Sequence, residues 1–418
     1  MQIRSKSILV VGFNSRPLTQ SLNEAGYDVH VVDFFGDIDL FPHVKDASII
    51  IKRLGTQYTM IKDDYGRYLV DFSMEMLKKH PEIDYLLIGS GLDDDIEGRN
   101  KILDAMDTYC HDCLSLNNNS ETIVKSRDIL YLYSCLTKLG IEVPKTNSCS
   151  DLDTKKDHLL FPLILKRIGG SGGLSVFKID NQSQLDFKLN SLRSTESNLN
   201  DWVLQEFIEG IPVSCTIISD GREPEVISVN RQIIGLKFLN PPKDFMYCGN
   251  IVPANLLKSD TNLISELSLN LARHLKLKGI NGLDYVLKNN QPYLMEINPR
   301  IPGSIEASEL ALNLNLLDLN TRCFEPEGWS LVRQQIQEKN FENFATKLIV
   351  FAPTNLDETT IKKINALEQV HDKNDPTHPI FKGEPICTIL YQANSFSDSY
   401  FGALKLANKI KDIIEKKE

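Results

Sequence analysis

Residues 280–309 read INGLDYVLKNNQPYLMEINPRIPGSIEASE and hold the densest group of chemically useful side chains in the chain. Two alternating runs, 282–287 and 292–297, flank Lys288-Asn289-Asn290-Gln291, and an Asn-rich link of this length predicts a β-hairpin. Glu296 and Asn298 are two apart, so on a strand both leave the same face. Asp284 falls nearly opposite on the partner strand, so two carboxylates and an amide oxygen can converge. Oxygen ligands from few carboxylates suit Mg2+, with Mn2+ as a substitute, and such an ion shares its shell with phosphates. Pro299-Arg300-Ile301-Pro302-Gly303-Ser304 then forms a stiff turn that holds a guanidinium just beyond the ligands. Arg300 suits an anionic partner because its planar fork matches carboxylate or phosphate.

A second group lies at 161–173, FPLILKRIGGSGG, where an apolar run carrying Lys166 enters Gly169, Gly170, Ser171, Gly172 and Gly173. Small residues expose backbone N–H groups to phosphate oxygens, and a nearby Lys adds a point charge. No GK[ST] follows, and 175–177 reads as another strand, so the loop is not a P-loop. The alternative is a plain hairpin with a flexible turn. Further on, a strand at 203–205 leads into Gln205, Glu206, Phe207, Ile208 and Glu209, where backbone groups and a carboxylate could meet a purine and a ribose.

The elements that must position these groups begin with 7–11, SILVV, a turn at Gly12, a helix over 18–25 and a strand over 28–33. Strand, helix and strand in this order predict a parallel, doubly wound sheet. Only Gly12 of a GxGxxG fingerprint is present, so a dinucleotide site is rejected. A strand over 83–88 ends in Gly89-Ser90-Gly91-Leu92-Asp93-Asp94-Asp95, and ligands of open parallel sheets sit beyond such strand ends. Its carboxylates either receive an ammonium or cap the next helix. Ser90, Gly91 and Asp93, with Ser304 from the later turn, are the candidate substrate contacts. A helical passage over 121–140 stops at Gly140 and Pro144.

With 418 residues the chain can bury two or three cores, and no run approaches the roughly 18 apolar residues of a membrane span. The N-terminus lacks the apolar core of a secretory signal, and most of the scattered cysteines lie in apolar runs, which together predict a cytoplasmic protein. A net charge of -10 argues against a nucleic-acid partner, and no membrane partner is expected. Cys110-His111-Asp112-Cys113 has no second CxxC to complete a zinc site and no thioredoxin-like context, so it reads as incidental.

Taken in order, Lys166 with its glycine loop, the acidic segment at 206–209 and the 284–298 hairpin resemble the ATP-grasp superfamily, which includes carboxylate-amine ligases and biotin carboxylase. MEINPRIPGS, 295–304, is the most specific match. The resemblance implies α/β and α+β architecture: an open parallel-sheet pre-grasp domain over 1–115, a two-lobed ATP-grasp domain over 116–325 (lobes about 145–210 and 211–325), and a small C-terminal lobe over 326–418. It implies that Lys166 and the glycine loop bind ATP phosphates, and that Gln205, Glu206, Phe207 and Ile208 meet adenine, with Glu209 or Ser214 at the ribose. Asp284, Glu296 and Asn298 would hold Mg2+, and Arg300 would stabilise the reacting centre. Arg231, in Asn230-Arg231-Gln232, would face the phosphates. Ile129 stands where the family commonly has a second phosphate-binding Lys, leaving Lys125 or Arg127 as substitutes. The implied activity is an ADP-forming ligase joining a small-molecule carboxylate to an amine, and a homodimer is compatible with it. The alternatives are a carboxylase activating bicarbonate and a nucleotide-binding protein without catalysis.

Overall fold

The computed structural model describes residues 5–56, 58–61, 64–150, 159–170, 172–195 and 198–416. Apolar β-branched runs near the N-terminus form a five-stranded parallel sheet: β1 (Ser7–Gly12), β2 (Asp28–Asp33), β3 (Asp46–Ile49), β4 (Tyr85–Ile88) and β5 (Leu114–Ser115), in the order β3-β2-β1-β4-β5. The strand order reverses between β1 and β4, the position where open sheets of this kind bind ligands. There the loops following the two strands meet, with Phe13 N donating to Ser90 O at 2.8 Å. Asp33 closes the first of these loops by accepting the N–H groups of Ser15 and Gly36.

The middle of the chain forms a small antiparallel sheet, β6 (Thr146–Ser148), β7 (Leu163–Arg167), β8 (Val176–Ile179) and β9 (Trp202–Glu206), in the order β6-β9-β7-β8. A larger antiparallel sheet contains β10 (Ile211–Asp220), β11 (Pro224–Ile234), β12 (Tyr247–Val252), β13 (Lys278–Lys288), β14 (Gln291–Asn298), β15 (Phe344–Phe351), β16 (Val370–His371) and β17 (Pro385–Ala393). Its order is β14-β13-β10-β11-β12-β15-β17-β16, so the last three strands of the chain extend the sheet that carries the hairpin. One face buries Val213, Cys215, Leu283 and Tyr285 against the amphipathic helix Lys258–Leu275. Period-2 alternation then sends Ser214 and Asp284 to the opposite face.

The helical passage expected over 121–140 is two helices, Ser120–Arg127 and Ile129–Lys138. Asp128 leaves the helical region and caps the second helix, accepting Tyr131 N at 3.0 Å. Its short acceptor competes with the helical ladder, which is why Asp favours caps over helix interiors. The break ends the first helix at Arg127. Among the described residues no helix is long and apolar enough to cross a membrane.

A buried ionic cluster ties the parallel sheet to the large sheet. Arg16, 1% exposed at the start of helix Arg16–Glu24, donates Nε to Asp372 at 2.8 Å and pairs with Glu306; Glu306 also meets Lys347 Nζ at 3.2 Å. Burial would raise Asp372, but Arg16 and Lys347 outweigh it and hold the carboxyl well below its usual range. Removing one partner of such a cluster leaves an uncompensated buried charge. Arg16→Ala is therefore expected to cost about 3–5 kcal/mol in urea denaturation, and a loss below about 1 kcal/mol would contradict a structural role.

Candidate active site

Asn289 and Asn290 both adopt positive φ, 50° and 63°, the backbone of a two-residue hairpin turn that matches strand twist. The turn sets Lys288 against Gln291, and a bulge after Asp284 brings Asp284 directly across from Glu296. Asn298 lies across from Gly282, where an added Cβ would come within 2.9 Å of Pro302. The rigid turn thus packs down on its own hairpin. Asn298 Nδ2 donates to Asp284 Oδ2 at 3.1 Å and to Glu296 Oε1 at 3.0 Å. Gln232 Nε2 donates to the other Asp284 oxygen at 2.9 Å.

Burial, and then the Glu296 carboxylate beside it, push Asp284 well above the usual carboxylate range, with Arg300 opposing. Two adjacent carboxylates are a donor set suited to a hard divalent cation, which would relieve their repulsion; Asn298 now turns its N–H2 to them and its oxygen to Arg300, so it would have to turn that oxygen inward to join them as a ligand. Arg300 is anchored next to them: its Nε pairs closely with Asp93, Nη1 donates to Ile301 O at 3.1 Å, and Nη2 lies 3.4 Å from Asn298 Oδ1. Asp93 is buried, yet Arg300 and Arg127 hold it below its ordinary value.

Lys166 reaches across from β7 and donates to Met295 O at 3.3 Å. Burial, with help from Arg127, lowers it to about 8, although Glu296 pulls the other way. Gly169, Gly170, Gly172 and Gly173 all have positive φ, and Ser171 lies outside the described residues. The loop rests on the large sheet, where Tyr247 N donates to Gly172 O at 3.4 Å. A Cβ on Gly173 would fall 1.9 Å from Phe245 O, so only glycine permits this approach. Lys166, Gly169, Gly170, Gly173, Arg127 and Glu296 line one cleft of about 530 Å3, part of it open to solvent.

Arg127 is the second cationic side chain of the cleft, and Asp94 neutralises it. Arg127, its side chain 7% exposed, clamps Asp94 through Nε at 2.8 Å and Nη2 at 3.1 Å, and also donates to Gly170 O. Gly170 N donates to the same carboxylate at 2.7 Å. A guanidinium fork plus a loop N–H is an anion cradle, here filled by Asp94.

Residues 127–304 match the family model described as ATP-grasp domain. An uncharacterized protein of Methanocaldococcus jannaschii is 27% identical over 390 residues, covering 92% of this chain and 88% of that one. The D-alanine–D-alanine ligase of Leptospira interrogans is 30% identical over 168 residues, 39% of this chain and 47% of the ligase. An L-amino acid ligase from Bacillus licheniformis superposes with a TM-score of 0.70 over 97% of this chain and 98% of its own, at 15% identity, which establishes a shared fold. Residues 127–304 are an ATP-grasp domain.

In and around this ATP-grasp domain, several expected positions land elsewhere. Arg231 does not join the cleft. It pairs with Val213 and Ile251 in the ladders, on the face opposite Asp284, and its neighbour there is Tyr400 of the helix Phe396–Glu415. Gln232, one residue on, occupies the site face instead. Gln205 is used internally, donating to Tyr133 Oη at 2.9 Å and Thr146 Oγ1 at 3.0 Å. Glu206 N donates to Lys145 O at 2.8 Å and Phe207 N to Pro162 O at 3.4 Å, so both N–H groups serve the small sheet. Ile208 is buried and Glu209 exposed. Ser214 lies between Asn230 and Asp284 on the large sheet, away from the 206–209 segment.

The 89–95 loop divides its labour. Ser90 O accepts Phe13 N, Gly91 N donates to Asp93 at 3.0 Å, Asp93 holds Arg300, Asp94 holds Arg127, and Asp95 caps the helix Ile96–Tyr109 through Gly98 N at 2.8 Å. Ser304 is buried, with Oγ 3.4 Å from Thr216 Oγ1 beneath the turn. Of the two substitutes for a second phosphate Lys, Arg127 lines the cleft, whereas Lys125 pairs with exposed Glu121 at 2.6 Å.

The low value of Lys166 has a stability consequence with a definite sign. Below about 8 the ammonium is charged in both folded and unfolded chains, and the fold bears the burial penalty. Between about 8 and the ordinary lysine value near 10.4 the unfolded chain holds more protons, so this penalty shrinks as pH rises. Urea denaturation should show wild type gaining on Lys166→Met between pH 7.5 and 10; a constant difference would mean that Lys166 is well solvated.

Proposed function

We propose that this chain is an ADP-forming ligase that activates a small-molecule carboxylate as an acyl phosphate and passes the acyl group to an amine. The observation that carries this reading is that Lys166, Arg127 and Glu296 line one cleft, while Asn298 links Glu296 to Asp284 and stands beside Arg300. Relatives named D-alanine–D-alanine ligase and probable alpha-L-glutamate ligase support the reaction class. A structural neighbour titled as an ADP complex, and another as a complex with its magnesium salt, support ATP and Mg2+ as the nucleotide and metal. We take 1–115 as the pre-grasp domain, 116–325 as the ATP-grasp domain and 326–418 as the C-terminal part, whose strands complete the large sheet.

Asp284, Glu296 and Asn298 would hold Mg2+, which when bound neutralises the charge of the terminal phosphates. Lys166 and the glycine-loop N–H groups hold those phosphates from the small sheet, and Arg127 supplies the second cationic contact. Phosphate competes with Asp94 for Arg127 and Gly170 N, so nucleotide entry frees the 89–95 loop from the glycine loop. The γ-phosphoryl passes to a carboxylate oxygen with ADP leaving; the amine then attacks the acyl carbon, the C–O bond breaks and phosphate departs. Arg300, fixed by Asp93, stabilises the negative charge of that step. The docked glycine loop excludes the water that would otherwise hydrolyse the activated acid. The 206–209 segment at the edge of the small sheet is our candidate for the adenine contact.

ADP release is expected to depend on added amino acids, whereas release driven by bicarbonate without an amine would contradict the ligase reading. Glu296→Ala should abolish turnover and retain nucleotide binding in calorimetry; full activity would remove Glu296 from the metal site. Arg300→Lys should lower kcat roughly 10²-fold, with a circular dichroism melt confirming the fold, and a near-normal rate would leave Arg300 only its structural pair with Asp93.

A further inference from the structure

At the other end of the parallel sheet, where its strands begin, four polar side chains meet that the cleft does not use. His30 is the third residue of β2, and Asp46 is its ladder partner at the start of β3. His80 follows the helix Tyr65–Lys79, and Glu82 lies two residues on, before β4. One ring nitrogen of each histidine and one Glu82 oxygen lie within 4.8 Å of one another. His80 Nδ1 is 3.0 Å from Glu82 Oε1, and His80 Nε2 is 2.8 Å from Asp46 Oδ2, which also accepts from Lys79 Nζ at 2.6 Å. The two imidazole rings are 4.2 Å apart.

The carboxylates account for His80 but leave His30 unexplained. His30 is 6% exposed, and its Nδ1 is buried with no hydrogen-bond partner. Such an atom costs on the order of 1–3 kcal/mol unless something satisfies it. Burial, followed by the neighbouring His80, lowers the His30 pKa and keeps the ring in the neutral form that a metal requires.

We propose that His30, His80 and Glu82 form a site for a zinc-class divalent transition-metal ion, with Asp46 orienting His80 from behind. Two imidazoles and a carboxylate select such an ion over Mg2+. Ligands about 2.1 Å from a tetrahedral ion are about 3.4 Å apart, so His80 Nδ1 and Glu82 Oε1 already have nearly the required spacing. A carboxylate on the other nitrogen of a ligating histidine is the usual support for this arrangement. The Glu82 side chain is 43% exposed, which leaves a path for the ion and a fourth position for water. Cys110 Sγ lies 3.5 Å from His80 O, but burial raises the Cys110 thiol and pushes Cys113 up to about 12, so neither supplies a thiolate. The ion would pin β2 to the segment entering β4, at the end of the sheet away from the 89–95 loop.

The full chain, stripped with chelator and held in excess Mg2+ to occupy the catalytic cluster, is titrated with ZnCl2 and, separately, with CoCl2. Wild type and Glu296→Ala are both expected to bind about one equivalent of zinc, show the visible bands of tetrahedral cobalt and melt at higher temperature with zinc. His30→Ala and Glu82→Gln, with unchanged circular dichroism, should each weaken zinc binding at least tenfold. His80→Ala serves as the second histidine variant should His30→Ala misfold. Absence of stoichiometric zinc in wild type, or an unchanged cobalt spectrum in folded His30→Ala, His80→Ala or Glu82→Gln, would overturn the site.

Discussion

Asp284 and Glu296 sit opposite one another on adjacent strands, half-buried, and linked by a single Asn298 amide. Two carboxylates so placed repel one another unless positive charge offsets them, and the charged groups around them come from all three sheets. Lys166 arrives from the small sheet, Arg127 from the end of the helix that Asp128 terminates, and Arg300 from the turn that follows the hairpin. The three cations face four carboxylates, since Asp93 and Asp94 enter from the parallel sheet. Each sheet therefore contributes charge that the others must balance, and the cleft is complete only when they are packed together.

That packing is built in two ways. Apolar surface joins the parallel sheet to the helices after the hairpin, where Ile8 and Val10 share a core with Ile301, Ile305 and Leu316. The Arg16, Glu306, Asp372 and Lys347 cluster adds a directional link between the same parts. The glycine loop is held by polar contacts, Gly172 on Tyr247 and Asp94 and Arg127 on Gly170. A firm base with a cover held by polar contacts suits a site that must admit nucleotide and then exclude water.

The hairpin was readable because local chemistry determines it: two asparagines tolerate positive φ, and strand alternation puts Glu296 and Asn298 on one face. Lys166 with its glycines was readable for a similar reason. Arg231 was misplaced because the polar run Asn230-Arg231-Gln232 masks the alternation that the flanking apolar residues carry. The core under that strand includes Val229, which carries the same parity as Arg231. The roles of Asp93, Asp94 and Asp95 depend on partners distant in sequence, Arg300 and Arg127 among them, and no local pattern distinguishes three consecutive aspartates. Gln205, followed by an acidic segment, read as a ligand contact, yet its partners Tyr133 and Thr146 are set only by how the small sheet meets the preceding helix.

Oxygen transfer from acid to phosphate tests acyl-phosphate activation most directly. The protein would be incubated with ATP, Mg2+ and a pool of amino acids carrying 18O in their carboxylates, and the released phosphate analysed by mass spectrometry. Activation joins a labelled carboxylate oxygen to the transferred phosphorus, and amine attack then breaks its bond to carbon, so 18O is expected in phosphate in step with ADP. Substrate-dependent ADP release with unlabelled phosphate, or formation of AMP and pyrophosphate, would contradict it.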